Sequence, residues 1–180
     1  GAVGQVVGQI AMLMGCHTVG IAGGPDKCTD CKLFGYDVAI DYKGEDLGPA
    51  LKDACPDGVD VYFDNVGGEV SMAVQRRLNV GARIVICGQI SQYNFERPEP
   101  TFHPGLLIVY RARMEGFLVT DYAHRFDEGA LRLAKWVAEG KLTWREDVTE
   151  GLENAPAAFM GMLRGENRGK ALVKVADRGS

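Results

Sequence analysis

The chain has 180 residues and a formal net charge of −4, with 46% hydrophobic residues, 24% charged residues and 24 glycines. This length and composition are typical of one globular α/β domain. A pI near 5.4 argues against non-specific binding to nucleic acid or an anionic membrane, since either partner requires a basic face. The apolar stretch 3–14 is interrupted by Gly4-Gln5 and Gly8-Gln9 and lacks a basic leader, so we expect neither a signal peptide nor a membrane span, and a cytoplasmic protein.

Helical and strand patterns alternate along the first two thirds of the chain. The apolar spacing predicts helices over residues 3–14, 26–34, 47–54 and 68–78, and strands over residues 17–22, 37–41, 59–64 and 83–87. This alternation is typical of a doubly wound parallel sheet, a Rossmann-like α/β fold.

The pattern changes after residue 90. A long proline-containing loop is expected over residues 91–105, followed by apolar stretches at 106–110 and 114–119 and an amphipathic helix over 126–140. A strand at 142–148, a helix at 155–163 and a strand at 170–175 lie outside the main alternation. We therefore divide the chain into a dinucleotide-binding domain, residues 1–140, and a C-terminal segment, residues 141–180.

The first four residues, Gly1, Ala2, Val3 and Gly4, have the pattern of a glycine-rich phosphate turn at the start of a helix. Such a turn normally follows a buried strand, and none precedes it here. We therefore expect a sheet of order 3-2-1-4-5-6 that lacks its first strand, with exposed edges where that strand would pair.

The five cysteines, an odd number, are scattered, which favours reduced thiols over a disulfide framework. Cys28 and Cys31 have the spacing of a redox or zinc pair, but no second ligand pair follows. We interpret them as ordinary thiols one helical turn apart and expect no metal site.

Polar and glycine residues follow four of the predicted strands, at residues 23–27, 41–43, 64–68 and 88–91. Ligands of an open parallel sheet bind beyond the carboxyl ends of its strands, where glycine allows close approach and Asn, Ser, Tyr and Lys donate to ribose and phosphate oxygens. The pattern predicts a dinucleotide site.

The residues that follow the predicted strand at 17–22, which is the second strand of the expected order, indicate which dinucleotide binds. An NAD site places an acid there, whereas this chain has Gly23-Gly24 followed by Lys27. Lys27 would neutralise a 2′-phosphate, and Tyr42 could bond to it. Two alternatives stay open: Lys27 as an ordinary surface lysine and Tyr42 as a half-buried strand residue. Asp26, beside Lys27, argues against the phosphate.

Several stretches resemble a known family: GAVGQVVGQIA, FDNVGGE, ICGQISQYN and ENAPAAFMGMLRGENRGKALVKV. They are similar to the prostaglandin reductases and alkenal double-bond reductases, in the zinc-independent branch of the medium-chain dehydrogenase/reductase superfamily. The resemblance covers essentially the whole chain. It implies NADPH-dependent reduction of the carbon–carbon double bond of enals and enones, a homodimer joined near residues 114–119, and an additional GroES-like N-terminal domain toward which residues 141–180 would return.

The resemblance also implies roles for individual residues. It places Gly1 to Gly4 at the pyrophosphate, Lys27 and Tyr42 at the 2′-phosphate, and Asn167 at the cofactor from the C-terminal segment. Around the nicotinamide half it places a larger set: Asn65, Cys87, Gly88, Ile90, Ser91, Tyr93, Phe117, Leu118 and Val119. Tyr110 matches a tyrosine beside the substrate carbonyl, where a hydrogen-bond donor would stabilise developing negative charge; without the resemblance, Tyr110 reads as the end of an apolar strand.

Other functions remain open. A quinone reductase of the same superfamily would share the fold and NADPH but not the ENRGK ending. A zinc alcohol dehydrogenase is disfavoured, because no structural zinc cysteine cluster is present. A cofactor-binding module without turnover of its own is the alternative from a different class.

Overall fold

The structure, a computed structural model, describes residues 1–97 and 101–176. Its helices are α1 (Gly4–Leu13), α2 (Pro25–Leu33), α3 (Leu47–Ala54), α4 (Gly68–Gln75), α5 (Pro104–Tyr110), α6 (Phe126–Ala138) and α7 (Ala155–Leu163). Its strands are β1 (Val19–Ala22), β2 (Val38–Asp41), β3 (Val59–Asp64), β4 (Leu78–Ile86), β5 (Arg113–Gly116), β6 (Glu146–Glu150) and β7 (Lys170–Lys174). The predicted alternation of helix and strand is confirmed. Pro98 and Pro100, part of the expected proline-containing loop, lie outside the described residues.

Three elements differ most from the expectation. Strand β6 begins at Glu146 rather than at residue 142. The alternative in which Tyr110 ends an apolar strand is wrong, because residues 104–110 form helix α5, which starts at Pro104 and ends at the left-handed Arg111 (φ 48°). Proline is compatible with a first helical turn, where its missing N–H leaves no bond unmade. Strand β4 begins at Leu78 rather than residue 83, and its early part contains Gly81 at φ +80°, which masks the alternating pattern.

The chain divides into two compact units. Unit 1 contains residues 1–39 and the chain from Lys135 onward, and unit 2 contains residues 40–134. The predicted boundary at residue 140 concerns an additional domain and stays a prediction.

In unit 1, β6 and β7 pair in parallel from Glu146 opposite Lys170 to Glu150 opposite Lys174. The side chains of Gln5 and Gln9 on α1 are buried and bond to the backbone just before β6. Gln9 accepts from the Thr143 N–H at 2.9 Å and donates to its carbonyl at 2.8 Å, and Gln5 accepts from the Arg145 N–H at 2.9 Å. The first helix therefore depends on the C-terminal segment.

In unit 2, β3, β4 and β5 form a parallel sheet in that order. Asp64, Ile86 and Gly116 end the three strands in register, so the loops after them leave the same edge. Leu78, Ala82 and Ile84 form the buried core, and α5 packs on it through Leu107 and Tyr110.

The strand order matches the doubly wound expectation piece by piece. Among the described residues there are three sheets: β1 pairs with β2, a second sheet has the order β3-β4-β5, and β6 and β7 form the third. The first two are the 3-2 and 4-5-6 parts of the expected 3-2-1-4-5-6 order. Among the described residues, no helix combines the length and apolar character needed to cross a bilayer.

Candidate cofactor site

The loops after β3 and β4 in unit 2 are fastened to each other by backbone hydrogen bonds. The N–H of Cys87 donates to the Asp64 carbonyl at 2.8 Å, and the Ile90 N–H donates to the Asn65 carbonyl at 3.2 Å. The Ser91 N–H and hydroxyl both donate to the Val66 carbonyl, at 3.1 and 2.6 Å. The structure thus brings Asn65 together with Cys87, Gly88, Ile90 and Ser91, as the sequence predicts for one edge of a parallel sheet.

Asp64 holds the first of these loops in shape. Its side chain is 2% exposed, and its Oδ1 accepts from the Tyr62 hydroxyl at 3.0 Å and from the N–H groups of Val66 and Gly67 at 2.8 and 2.9 Å. Burial raises the pKa of Tyr62, which keeps its hydroxyl protonated as a donor. Gly67 has φ +71° and Gly68 φ +60°, where a Cβ would press on Thr101, Gln89, Ser91 and Gln92. The turn after β3 therefore requires both glycines.

A buried amide that the sequence analysis missed supports the same edge. Gln75, on α4, is fully buried; its Nε2 donates to the Ser71 hydroxyl and the Thr101 carbonyl, both at 3.0 Å, and its Oε1 accepts from the His103 N–H at 3.0 Å. Gln89 in turn donates to the Thr101 hydroxyl at 3.0 Å. Gln75 thus fixes the segment against which the loop after β4 rests.

The remaining predicted nicotinamide residues lie on the same edge of unit 2. Phe117 follows β5 and makes edge contacts with the rings of Phe63 (6.3 Å) and Tyr122 (5.8 Å). Leu118 and Val119 are 70% and 65% exposed. The hydroxyl of Tyr93 accepts from the Gln89 N–H at 3.3 Å. This edge therefore presents an aromatic and aliphatic wall beside open backbone loops.

Tyr42 follows β2, also in unit 2. Its side chain is 39% exposed, and the turn behind it is closed by Asp41, which accepts from the Lys43 N–H at 3.0 Å. An exposed phenol held on a defined turn can donate to a ligand.

In unit 1, helix α1 begins at Gly4 with no side chain capping it. A Cβ built at Gly1, Gly4 or Gly24 would meet nothing within 4 Å, so these glycines border open space. Open space at a helix start, where backbone N–H groups point outward, suits a phosphate. Ala2 and Val3 complete the predicted turn, and Val3 is 44% exposed.

Lys27 and the loop that carries Asn167 meet in unit 1. The Lys27 ammonium, in the first turn of α2, donates a hydrogen bond to the Gly165 carbonyl. Asn167, two residues further along the chain, donates to the Gly169 carbonyl at 2.8 Å. The structure thus brings together two residues that the resemblance assigns to the cofactor, although 140 positions separate them in the sequence.

A second feature missed by the sequence analysis holds this loop. Asp30, on α2, has a side chain only 10% exposed and accepts from Arg168 and Arg145. Hydrogen bonds from Arg168 lower the pKa of Asp30, with a smaller contribution from Arg145. These partners lie 138 and 115 residues away, and no local pattern indicates such a pairing.

Tyr110 lies elsewhere in unit 2. Its hydroxyl donates to the Arg76 carbonyl at 3.2 Å, just before the start of β4, whereas Asn65, Cys87 and Phe117 follow the carboxyl ends of the strands. The structure does not bring Tyr110 to those residues, so its assignment beside the substrate rests on the resemblance alone.

The five cysteines are free thiols. Within residues 1–97 and 101–176, no group of three or more His, Cys, Asp and Glu side chains is arranged to hold a metal ion. Burial raises the pKa of the Cys31 thiol, which makes it a weaker nucleophile than an ordinary cysteine.

The parallel βα succession, with its ligand-facing loops at the carboxyl ends of the strands, defines a Rossmann-like dinucleotide-binding fold. The family model described as "Zinc-binding dehydrogenase" matches residues 2–136. The chain belongs to this medium-chain dehydrogenase/reductase family, in the branch of the prostaglandin and alkenal reductases.

Three similar proteins place the chain within the family. It is 52% identical to prostaglandin reductase 1 of Sus scrofa, over 97% of the chain and 54% of that protein. It is 47% identical to the 2-alkenal reductase (NADP(+)-dependent) of Nicotiana tabacum, over 98% of the chain and 52% of that protein. The crystal structure of CurA from Vibrio vulnificus in complex with NADPH superposes with a TM-score of 0.94 at 45% identity, over 99% of the chain and 55% of CurA. The chain thus spans about half the length of the relatives it matches.

Proposed function

We propose that this chain is the cofactor-binding part of an NADPH-dependent reductase of the carbon–carbon double bond in α,β-unsaturated aldehydes and ketones. The observation that carries the proposal is the match to CurA, which covers 99% of the chain and was solved with NADPH. The names of the porcine and tobacco relatives support the substrate class.

The residues present fit NADPH. Open space borders Gly1, Gly4 and Gly24, which leaves room for phosphates beside the starts of α1 and α2. We propose that the backbone of residues 1–4 binds the pyrophosphate, with the N–H groups of a helix start as donors. Lys27 and Tyr42 bind the 2′-phosphate, because an ammonium and a phenol are donors suited to a phosphate oxygen.

Around the nicotinamide half we propose two kinds of contact. Asn65, Cys87, Gly88, Ile90, Ser91 and Tyr93 offer polar atoms on loops that their own hydrogen bonds hold in place. Phe117, Leu118 and Val119 offer an apolar wall that excludes water. Asn167 approaches the cofactor from the loop that Arg168 and Asp30 fix.

When bound, NADPH supplies the hydride for the reduction. The chain's own contribution is to orient the substrate and to place a hydrogen-bond donor where its carbonyl oxygen gains negative charge. We propose Tyr110 for that role on the resemblance. Its hydroxyl would have to leave the Arg76 carbonyl to reach a substrate.

The same reasoning extends to assembly and location. Among the described residues, β5 pairs with β4 on one side only, so its other edge is available for a second copy. We propose a homodimer joined through this strand. We also propose a cytoplasmic location, which the free thiols of all five cysteines support.

The test is a paired fluorescence titration of the chain with NADPH and NADH. NADPH is expected to bind at least roughly tenfold more tightly, since a charge-assisted contact to the 2′-phosphate contributes about 1.5–3 kcal/mol. Lys27→Ala should abolish this preference. Lys52→Ala, an exposed lysine in the last turn of α3, is the matched control and should leave it unchanged. Equal affinity for the two nucleotides would overturn the 2′-phosphate assignment, and no binding of either would overturn the proposed function.

A further inference from the structure

Arg168 joins two segments that flank the proposed 2′-phosphate site. Its guanidinium forms a fork with Asp30, with Nε at 3.0 Å from Oδ2 and Nη2 at 2.7 Å from Oδ1. Its Nη1 lies 3.5 Å from Oδ2 of Asp26, and its Nη2 donates to the Asp26 carbonyl at 3.4 Å. A third carboxylate, Asp147, accepts from the Arg168 backbone N–H at 2.8 Å.

Asp26 is the carboxylate that bears on nucleotide choice. It precedes Lys27 in the first turn of α2, and its side chain is 79% exposed. An acid near this position favours a ribose 2′-hydroxyl, to which it accepts a hydrogen bond, and repels a 2′-phosphate. Without its ion pair to Arg168, the Asp26 carboxylate would offset the attraction between Lys27 and a 2′-phosphate.

We propose that Arg168 is a specificity-determining residue, which holds Asp26 in an ion pair and so keeps the Lys27 end of the site favourable to NADPH over NADH. This inference rests on the proposed function. It does not require Arg168 to touch the nucleotide, because its effect passes through the charge of Asp26.

The fork to Asp30 explains how an ion pair with an exposed carboxylate can matter. A solvent-exposed pair by itself contributes little, since two flexible side chains must be ordered. Arg168 is already ordered by Asp30, which is 10% exposed and is fixed in turn by Arg145 at 3.0 Å. The guanidinium therefore stands beside Asp26 without further ordering of its own side chain.

The charges around Lys27 make the expected effect testable. Three cations stand against three carboxylates on the elements that meet here: Lys27, Arg145 and Arg168 against Asp26, Asp30 and Asp147. Removal of Arg168 exposes the negative charge of Asp26 to a phosphate that carries about two negative charges. Removal of Asp26 as well restores the balance.

The experiment is a double-mutant cycle on the 180-residue chain, read as the ratio of NADH to NADPH dissociation constants. Arg168→Met should lower the ratio by roughly tenfold, as expected for one charge interacting with a phosphate near a protein surface. Asp26→Asn alone should change it by less than about threefold, because its charge is already paired. Asp26→Asn together with Arg168→Met should return it to within about threefold of the wild type.

Two further variants serve as controls. Arg164→Met removes a cation from the same loop, where Arg164 pairs with Glu166 at 2.6 Å, and should leave the ratio unchanged. Arg168→Lys keeps the charge and should retain most of the preference, even if Arg168→Met is too unstable to titrate. Circular dichroism and thermal melting confirm folding of each variant.

The outcomes separate the inference from the function on which it rests. If Arg168→Met lowers the ratio but Asp26→Asn does not restore it, Arg168 contacts the phosphate itself and the inference is overturned. An unchanged ratio in both Arg168→Met and Arg168→Lys overturns it while the proposed function stands. Failure of the wild-type chain to bind NADPH overturns both.

Discussion

The ring of Tyr36 occupies the space that a side chain on Gly8 would need. A Cβ at Gly8 would overlap the Tyr36 ring, whose hydroxyl donates to the Gly4 carbonyl at 2.7 Å. Burial raises the pKa of Tyr36 to about 12, so the phenol stays a donor. This contact fixes the first turn of α1, where the pyrophosphate is proposed to bind.

Gly8→Ala is therefore expected to lower the free energy of unfolding by about 1–3 kcal/mol, the usual range for overpacking. The measurement is the free energy of unfolding in urea.

Gly4→Ala is the matched variant on the same helix. A Cβ there meets nothing within 4 Å, and alanine is the better helix former by up to about 1 kcal/mol, so stability should hold or rise. Its methyl group would enter the proposed pyrophosphate site at residues 1–4, and NADPH affinity should fall. An unchanged NADPH affinity would contradict this site.

Gln75→Leu tests the support beneath the loop after β4. The substitution removes bonds to Ser71, Thr101 and His103 and leaves buried partners unsatisfied, so we expect a loss of about 2–4 kcal/mol. Hydrogen exchange should also speed up at residues 87–93, since Gln89 bonds to Thr101.

Asn79→Ala is the control for that variant. Asn79 donates to Asp60 at 2.8 Å in an exposed hydrogen bond. Removing this bond should change the free energy of unfolding by no more than about 0.5 kcal/mol. Hydrogen exchange at residues 87–93 should stay unchanged. Equal protection of these residues in Gln75→Leu and wild type would show that Gln75 does not support the loop.

The Asp30 carboxylate predicts a pH dependence of stability. Hydrogen bonds from Arg168, chiefly, lower its pKa in the folded chain. Its stabilisation is therefore complete above the unfolded pKa of about 3.9 and is lost as the pH falls through the lower folded pKa. Asp30→Asn should cost more stability at pH 6 than at pH 3, measured as the urea midpoint at each pH. An equal difference at both pH values would rule out a charged pair as the source.

Tyr110→Phe separates a structural role from a catalytic one. Loss of the exposed hydrogen bond to Arg76 should cost no more than about 1 kcal/mol, and the NADPH affinity of the chain should not change. If the resemblance is right, kcat of the whole protein with an enone should fall while KM stays similar. An unchanged kcat would remove Tyr110 from the proposed catalytic role.

The sequence predicted those parts of the fold whose pattern is local. The bounds of α3, β3 and α7 agree with the apolar spacing. The apolar period of each element and the turn residues beside it lie close together in the sequence, so both can be recognised locally. Helix α5 was misread because seven residues offer too little chain to distinguish the two periods. The start of β4 is predicted too late, at residue 83 instead of Leu78, because Gly81 interrupts the alternating pattern of the strand.

The candidate site was predictable where junctions follow strands and unpredictable where distant residues meet. Asn65 and the loop at 87–93 could be expected on one edge of a parallel sheet, and the register confirms it. Asp30, Gln75 and Arg168 give no such signal, since a buried polar residue is recognised only by its partners. Their contacts supply the rigidity that the predicted ligand residues need.

The amides of Gln5 and Gln9 have a consequence for the order in which the chain folds. Both are buried near the beginning of the chain, and their partners, Thr143 and Arg145, lie 134 and 140 residues later. A ribosome therefore releases α1 long before the groups that satisfy it exist. Unit 2, whose residues lie between 40 and 134, can form in the meantime, and α1 gains its buried partners only after residues 143–145 have been made.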